Sequence, residues 1–489
     1  MEPIEFVDTT LRDGHQSLWA ESMRTGMMLA VGERMDRAGF KGMELMSSSH
    51  IKKCVRELHE DPWERIRLVA GTIRETPLRV IIGGRNGFEL TPESIQRIFL
   101  ERMAANGVRQ GRISDEWNDI AGWRKTLRIA TQAGLEPILN IIYSVSPKHT
   151  DEYFAERARQ AATLPVMRIC FKDPGGLLTP DRTRALVPLI QANIGDIPLE
   201  FHTHCTTGLG PLCALEAIRQ GIRIINTALP PLANGSSNPS LFNVAANARS
   251  LGYETAVDEE VLRPVSEYFT AVARREGFPI GAPVEYDYGQ YLHQVPGGMI
   301  SNLRHQLARV GLGDHMERAL EEVVRVREEL GYPIMVTPLS QFVGSQAAIN
   351  IIVGERYKEV TDQVILYALG RWGREGSDSM DPDVKDRILA CPRARELAAW
   401  EPPEPSIQEL RAKYGGGGVS DEELLLRYFL TRDEIDTMRA AGPPRDYPFD
   451  TEPATRLVEG FTRRNDYAQI QVRSAALSLS LSRRAPGIP

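Results

Sequence analysis

Short apolar runs alternate with longer amphipathic stretches over roughly the first 275 of the 489 residues. The short runs have the length of β-strands, and the stretches between them repeat apolar residues at the spacing of an α-helix. Eight strands are predicted, at 5–10, 42–46, 79–84, 111–116, 136–144, 166–174, 199–204 and 222–231. Eight strands that alternate with helices over about 250 residues are typical of a (β/α)8, or TIM, barrel. The pattern therefore predicts an α/β protein built on such a barrel.

A doubly wound open sheet is the structural alternative. Its dinucleotide-binding form carries GxGxxG directly after the first strand, and no such segment follows the first strand here. The barrel is therefore the favoured fold. Thr91 and Thr179, each followed by proline, are predicted to cap the N-termini of two connecting helices.

The strand signal fades after about residue 280, and helical patterns follow. We predict a barrel at 1–280, a mainly helical domain at 281–440 that packs over the barrel mouth, and a poorly anchored tail at 441–489. In the helical domain, Ser420 is a predicted N-cap, with Glu423 completing a capping box.

Composition narrows the class of protein. The formal net charge is −7 and there is no long basic run, which argues against nucleic acid as the main partner. The five cysteines include no CxxC pair and are odd in number, so they indicate reduced thiols and no disulfide framework. We find no secretion signal and no stretch near the roughly 18 apolar residues of a membrane span. A cytoplasmic enzyme is expected.

Polar residues at the ends of the first and seventh strands predict a metal site, because TIM-barrel active sites lie at the carboxyl ends of the strands. His202 and His204 are two residues apart in a strand, so both imidazoles point to one side and can bind one ion. Asp13 can add an oxygen ligand, which leaves coordination positions open for substrate. The alternative is that the histidines only line a hydrated barrel mouth.

Lys172 ends the apolar sixth strand, where an amine would be partly desolvated. An ion pair with Asp173 is the simplest interpretation. An amine with a shifted pKa and a carbamate that binds metal are the others, and the residue pattern leaves all three open.

Five segments in order resemble the carboxyltransferase domains of pyruvate carboxylase, the oxaloacetate decarboxylase α subunit and transcarboxylase. They are DTTLRDGHQSL, FKDPGGLLTP, FHTHCTTG, LHQVPGGMISNL and VTPLSQFVGSQA, over roughly residues 4–430. The resemblance implies carboxyl transfer between carboxybiotin and the enolisable carbon of an oxo acid, pyruvate or oxaloacetate by default. It implies a homodimer with a divalent metal (zinc, manganese or cobalt) bound by Asp13, His202, His204 and a carbamylated Lys172.

The resemblance also assigns Arg12, Gln16 and Tyr143 to the substrate side of the site and Thr337 to proton transfer. Because Pro338 follows Thr337, a helix N-cap is the alternative role for that threonine. No AMKM-like biotin attachment segment occurs. Biotin is therefore expected on a separate carrier protein, charged where needed by a separate biotin carboxylase.

The expected substrate pocket departs from the family pattern. Family members usually read LLRGxN after strand three, whereas this chain reads IIGGRNG, with Gly83 in place of the arginine and Arg85 two residues on. MSSSHIK replaces WGGATFD after strand two, so Lys52 stands where the family has aspartate. Cys205 follows the second histidine, and Asn226 replaces an aspartate of strand eight. We therefore expect an oxo acid not limited to pyruvate, with Arg85 as a candidate ligand of its carboxylate.

Two other functions remain open. Claisen-condensing or aldol-cleaving barrels of the isopropylmalate synthase and hydroxymethylglutaryl-CoA lyase type share DTTLRDG and HxH. They usually have Glu-Gln where this chain has His15 and Gln16, and they lack the lysine motif. A binding protein that has lost catalysis is the third possibility, and the retained ligands argue against it. His15, His50 and His293 are expected to be structural.

Overall fold

Eight parallel strands close into a barrel in the computed structural model, which describes residues 2–83, 91–295, 307, 311–415, 418–449, 469–473 and 478–482. Consecutive strands pair in order, and the eighth closes on the first. The strands are β1 Glu5–Asp8, β2 Gly42–Ser47, β3 Leu78–Gly83, β4 Gln110–Ser114, β5 Glu136–Ile142, β6 Arg168–Asp173, β7 Leu199–Thr203 and β8 Ile224–Thr227. The predicted barrel is confirmed, and the open-sheet alternative is wrong.

Helices connect the strands and form the outer layer. They are α1 His15–Leu18, α2 Thr25–Asp36, α3 Ser48–Lys53, α4 Pro62–Thr72, α5 Glu93–Ala105, α6 Ile120–Gln132, α7 Asp151–Ala162, α8 Pro180–Ile194, α9 Gly210–Arg219, α10 Leu241–Ser250 and α11 Glu259–Glu276. Short π-helical segments, Thr10–Gly14 and Cys54–Leu58, lie after β1 and after α3.

One of the two predicted helix caps in the barrel is present. Thr179 caps α8, because its hydroxyl accepts from the backbone N–H of Arg182. Thr91 does not cap α5. Pro92 occupies the position before that helix, and its carbonyl accepts the first helical hydrogen bonds. Thr91 therefore lies one residue too early to act as the cap.

The lumen of the barrel contains paired charges. Nη1 of Arg79 on β3 lies 2.7 Å from Oε1 of Glu200 on β7, and both side chains are fully buried. A buried charge is tolerated when it is paired and hydrogen-bonded. Alternate residues of a strand face the same side. Glu200 therefore lies on the same side of β7 as His202, which is nearer the end of that strand.

A second apolar core lies in the helical region that follows the barrel. Its helices are α12 Gly289–His293, α13 Met316–Glu329, α14 Leu339–Val353, α15 Asp362–Ala368, α16 Arg374–Asp378, α17 Pro382–Ala390 and α18 Pro392–Ala398, with a 3-10 turn at Gly313–His315. Trp117, from the loop after β4, is part of this core and packs on Tyr367. Nη2 of Arg327 on α13 donates to Ser144 at 3.1 Å and to the Val145 carbonyl at 3.0 Å, in the loop after β5. The helical region therefore sits against loops at the carboxyl ends of β4 and β5.

The last helices join the barrel instead. Apolar side chains of α19 Ile407–Tyr414, α20 Asp421–Phe429 and α21 Arg432–Ala440 belong to the same core as the strands. Ser420 caps α20 by accepting from the backbone N–H of Glu423, as predicted. The Glu423 carboxylate pairs with Arg427 and Arg439, so no capping box forms there.

Residues beyond α21 include a strand pair that the sequence analysis did not predict. Gln469–Arg473 (β9) and Ser478–Ser482 (β10) pair antiparallel. The alternating SLSLS segment carries the strand signal. All five cysteines are free, as expected. Within the described part of the chain, no helix combines the length and apolar character that a membrane crossing requires.

Candidate metal and substrate site

Three possible metal ligands converge where β1 and β7 end. Nε2 of His202 and Nε2 of His204 each lie 3.3 Å from Oδ2 of Asp13. Donor atoms of all three residues lie within 4.8 Å of one another, and all three side chains are buried. The strand spacing puts both imidazoles on one side, and the turn after β1 brings Asp13 to them. The structure thus places together three of the ligands that the sequence predicted.

Hydrogen bonds prepare both imidazoles for metal binding. Nδ1 of His204 donates to the Ser236 carbonyl at 2.7 Å, and Nδ1 of His202 donates to Oδ1 of Asn226 at 3.0 Å. Each Nε2 atom therefore carries the lone pair. Burial and the charge of Arg112 lower the pKa of His202 to about 3, so this imidazole is neutral near neutral pH. Two imidazoles and one carboxylate fit a divalent cation such as zinc, manganese or cobalt.

Asp13 is held as an anion beside the two histidines. Burial alone would raise the pKa of this carboxyl, but the charge of the neighbouring Arg12 guanidinium holds it well below its usual value. Nη2 of Arg12 lies 3.0 Å from Oδ2 of Asp13, and Ser17 donates to Oδ1 at 3.2 Å. These contacts fix the orientation of the carboxylate toward the histidines.

Lys172 faces the same lumen, because β6 and β7 pair with Lys172 opposite His202. Asp173 points to the other side of the strand and accepts from two backbone N–H groups of the following loop, each at 2.9 Å. The interpretation of Lys172 and Asp173 as an ion pair is therefore wrong, since successive strand residues face opposite sides. Burial, and then the charges of Arg112 and Arg12, lower the pKa of Lys172 to about 8. A neutral amine, the form that reacts with CO2, is therefore accessible near neutral pH.

A buried network that the sequence pattern does not reveal lies beside Asp13 and the two histidines. Nη1 of Arg112 lies 2.6 Å from Oε1 of Glu44 and donates to Oδ1 of Asn226 at 2.7 Å. Asn226 donates to Oε1 of Glu200 at 2.8 Å, and Glu44 also pairs with Arg12. The sequence signal that could have indicated this network is the single charged residue that lies inside each of the apolar segments GMELM, GRIS and LEFHTH. Asn226, noted only as a departure from the family, is the residue that connects this network to His202.

The predicted substrate-side residues separate into two groups. Nη1 of Arg12 donates to Oε1 of Gln16 at 3.1 Å, beside the ligand group. The ring of Tyr143 packs against Phe154 and Phe171, with centroid distances of 5.6 and 5.9 Å. Tyr143 therefore lies in the layer between the strands and the outer helices, and the structure does not bring it into the lumen with Arg12.

Three further residues named in the sequence analysis have described positions. Thr337 is exposed just before α14, which begins at Leu339 and has no side-chain cap. The N-cap role for Thr337 is therefore wrong. Gly83 ends β3, and Lys52 lies in α3, the helix directly after β2. Arg85 lies outside the described residues.

The other histidines stand apart from the ligand group. His15 and His50 are buried, with ring centroids 5.1 Å apart. Nδ1 of His293 accepts from the backbone N–H of Val295 at 3.0 Å. Burial lowers the pKa of all three imidazoles. Cys205 is buried directly after the second ligand.

Comparisons with known proteins agree with the fold and with the order of the motifs. The HMGL-like family matches residues 3–268, more than half of the chain, and the conserved carboxylase domain matches residues 291–442. The chain is 36% identical over 439 residues to a pyruvate carboxylase subunit of Methanocaldococcus jannaschii, with 87% of this chain and 76% of the relative covered. It is 32% identical over 472 residues to the 2-oxoglutarate carboxylase large subunit of Hydrogenobacter thermophilus, with 93% and 71% covered.

The fold itself has solved counterparts. The carboxyl transferase domain of Rhizobium etli pyruvate carboxylase, solved with pyruvate and biocytin, superimposes with a TM-score of 0.79 at 22% identity, covering 90% of this chain and 77% of that one. The carboxylase relatives and the conserved carboxylase domain favour carboxyl transfer over the Claisen and aldol alternatives. The chain therefore belongs to the family of biotin-dependent carboxyltransferases.

Proposed function

We propose that this enzyme binds one divalent cation through Asp13, Lys172, His202 and His204 and carboxylates or decarboxylates a 2-oxo acid. Biotin on a separate carrier protein is the proposed carboxyl donor or acceptor. The observation that supports this most directly is the convergence of two imidazole Nε2 atoms on one carboxylate oxygen, at 3.3 Å each. A cation held there polarises a carbonyl oxygen and favours loss of the neighbouring proton.

The side chains around the ligands support the same reaction. Arg12 is held by Glu44 and reaches Gln16 at 3.1 Å, so the pair can orient a carboxylate by hydrogen bonding. We assign to Thr337 the proton transfer between the substrate carbon and biotin, because its exposed hydroxyl is not used as a helix cap. Lys172 as a carbamate would add a second anionic ligand opposite His202.

Metal analysis together with a carboxyl-transfer assay tests the proposal. Protein purified without chelator should hold one divalent ion per chain and should decarboxylate oxaloacetate with free biotin as acceptor. The double change His202→Ala with His204→Ala should remove the metal and lower the rate by at least about 100-fold, since even the outer partners of ligands contribute 10–100-fold. His59→Ala is the matched control, because His59 hydrogen-bonds to Val55 away from the ligand group. Undiminished metal in the double variant would refute the site.

The substrate is proposed to be a carboxylated oxo compound not limited to pyruvate. Gly83 removes a guanidinium, and one charge-assisted hydrogen bond of that kind contributes roughly 1.5–3 kcal/mol, about tenfold to a hundredfold in affinity. The similarity to a 2-oxoglutarate carboxylase makes a dicarboxylate a specific candidate.

A panel of oxo acids that includes pyruvate and 2-oxoglutarate distinguishes these cases. If Arg85 replaces the missing arginine, Arg85→Ala should raise KM for the true substrate by about tenfold or more. Arg97→Ala, on the adjoining helix α5, serves as the charge-matched control. Ordinary rates with pyruvate together with a silent Arg85→Ala would show that the pocket is not altered.

A further inference from the structure

A cavity of about 720 Å³ opens at the amino end of the barrel, opposite the candidate metal site. Its lining includes the first residues of four strands, Glu5, Arg168, Leu199 and Ile224. The volume is typical of small-molecule sites, which usually measure about 300–1,000 Å³. Active sites of TIM barrels lie at the carboxyl ends of the strands, so the proposed reaction does not account for this cavity.

The cavity is well separated from the candidate metal site. Arg168 begins β6 and Lys172 lies four residues later on the same face of that strand. Four residues of a strand span about 13 Å. A ligand bound beside Arg168 is therefore not in contact with a substrate at the carboxyl ends of the strands.

Arg168 supplies a buried positive charge at the inner end of the cavity. Its side chain is only 6% exposed, and its guanidinium makes one hydrogen bond among the described residues, from Nη1 to Glu200 at 3.4 Å. That distance lies beyond the usual range of about 2.7–3.2 Å. Arg79 holds Glu200 more closely, at 2.7 Å. Because a guanidinium has five N–H donors, Arg168 keeps donors for a ligand.

The buried charges connected to Arg168 also include one more cation than anion. Ion pairs join four guanidinium groups to three carboxylates along the lumen. The seven residues are Arg12, Arg79, Arg112 and Arg168 with Asp13, Glu44 and Glu200. A buried charge is costly unless it is paired. A ligand carboxylate beside Arg168 would supply the missing partner.

The outer part of the cavity is negative. Glu2, Glu5 and Asp196 contribute carboxylates to the lining, and Glu2 and Asp196 are exposed. Helix α8 ends there with Ile194, and the carbonyl groups at a helix C-terminus carry partial negative charge. A ligand with several negative charges is therefore disfavoured.

The two other cationic side chains described in the lining are already engaged. Lys41 pairs with Oε1 of Glu5 at 2.9 Å. Nη1 of Arg223 donates to the carbonyls of Ile218 and Ile222 at 3.2 and 3.1 Å. Arg168 is thus the principal group for an anion, and the rim favours a positive group on the same ligand.

Glu5 is placed to bind that positive group. It pairs with Ile224 in the barrel register, and Ile224 lies on the same side of β8 as Asn226, which faces the lumen. Glu5 therefore also faces the lumen, and its charge acts on Arg168. Among the described residues only Oε1 of Glu5 is paired, with Lys41, so Oε2 can accept from a ligand.

The rest of the lining offers an apolar surface. Met167, Ile197, Pro198 and Leu199 contribute to it. A carboxylate and an ammonium on one carbon fill only a small part of 720 Å³. The remaining space suits a large apolar side chain, whose burial favours binding.

We propose that this cavity is a binding site for an α-amino acid with a large apolar side chain. The carboxylate binds Arg168, the ammonium binds Glu5, and the side chain packs against the apolar part of the lining. The site requires neither metal nor biotin, so it does not depend on the proposed function.

The test is saturation-transfer NMR with the full chain and L-phenylalanine, L-leucine or L-methionine. Dissociation constants in the millimolar range are expected for ligands of this size. Two analogues identify the contacts, since 3-phenylpropanoate lacks the ammonium and L-phenylalaninamide lacks the carboxylate. Each should bind about tenfold or more weakly than phenylalanine, because each loses a charge-assisted hydrogen bond.

Two variants assign these contacts to residues. Arg168→Met should weaken the binding of phenylalanine and of 3-phenylpropanoate about tenfold or more. Glu5→Gln should weaken the binding of phenylalanine but not of 3-phenylpropanoate, which has no ammonium. The Lys41 and Glu5 side chains are 38% and 32% exposed, so loss of their ion pair should have little effect on folding.

Arg159→Met and Glu156→Gln are the matched controls, because these two side chains pair with each other on the surface of α7. Both should bind phenylalanine like the wild type. Circular dichroism shows whether each variant is folded, and Glu5→Gln decides the question if Arg168→Met does not fold. Three results would each overturn the site: no binding of the three amino acids to wild type, phenylalaninamide binding as tightly as phenylalanine, or equal phenylalanine affinities in Glu5→Gln and Glu156→Gln.

Discussion

Asn226 holds the His202 imidazole by Nδ1, the ring nitrogen that faces away from Asp13. It accepts from Nδ1 of His202 at 3.0 Å while donating to Glu200 at 2.8 Å. As an amide it can do both at once, whereas a carboxylate at this position would lie against the Glu200 carboxylate. The asparagine therefore suits a lumen that already contains buried acids.

This geometry predicts the effect of changing Asn226. Asn226→Leu removes the acceptor that fixes the imidazole, and metal affinity should fall about 10–100-fold. Asn226→Asp keeps an acceptor for Nδ1 but loses the donor to Glu200, so its loss of affinity should be smaller than that of Asn226→Leu. Competition with a coloured chelator measures both. Equal affinities of Asn226→Leu and wild type would show that the contact does not orient the ligand.

At this scale the sequence predicted which side chains come together better than it predicted their surroundings. Asp13, His202 and His204 could be found because they lie at or shortly after the ends of β1 and β7, and short spacing brings the imidazoles together. The role of Glu44 could not be predicted, because its partners Arg12 and Arg112 come from distant parts of the chain. Strand periodicity shows which side a residue faces, but it does not identify the residue across the lumen.

The loop after β5 connects the barrel to the helical region through several polar contacts. Arg327 donates to the backbone carbonyl of Val145 in this loop. Within the same loop, Nδ1 of His149 lies 2.6 Å from the hydroxyl of Ser146. Burial, and then the charges of Arg327 and Lys148, lower the pKa of His149 from 6.5 to about 3. The imidazole is therefore neutral in the folded protein over most of the acidic range.

The depressed pKa of His149 predicts a loss of stability in acid. Between pH 6.5 and about 3 the unfolded chain binds a proton at this histidine and the folded chain does not. The free energy of unfolding therefore falls as the pH is lowered through this window, by up to about 1.4 kcal/mol per pH unit for this one group. Urea unfolding at several pH values should show a shallower pH dependence for His149→Gln. His59→Gln is the control, and identical slopes for both variants would contradict the assignment.

Elements were predicted well where periodicity was strong and less well at their ends. All eight strands were found, but α5 begins after Pro92 and not after Thr91. The competing choice was local, since proline itself can occupy the position before a helix. Which core the last helices join was not predictable, because an amphipathic pattern identifies an apolar face and not its partner.

The whole molecule has two apolar cores, and the barrel's core takes in the end of the chain. Leu424, Leu425 and Phe429 of α20 are buried with the barrel residues. Arg67 of α4 pairs with Glu422 at 2.7 Å, and Arg56 pairs with Glu434 at 2.7 Å. The outer wall of the barrel beside α4 and α5 is thus completed by residues beyond 400.

A truncation series tests this dependence. A chain ending after residue 398 loses α19–α21, and each large apolar side chain left without its cover costs about 1.5–3 kcal/mol. Several such losses approach the total stability of about 5–15 kcal/mol of a typical domain, so this chain should unfold at a much lower temperature or aggregate. A chain ending after residue 449 keeps the helices and should melt like the full chain. Similar melting of both truncated chains would show that the contacts contribute little.

The position of α19–α21 also sets an order of events during synthesis on the ribosome. The eight strands are complete once residue 227 has emerged, but the cover over α4 and α5 arrives only with residues 407–440. At about 5–20 residues per second, those roughly 200 residues take about 10–40 s. Throughout that interval the nascent barrel displays an apolar wall that nothing else in the described chain shields, so this wall is where a chaperone or a protease would first engage the growing protein.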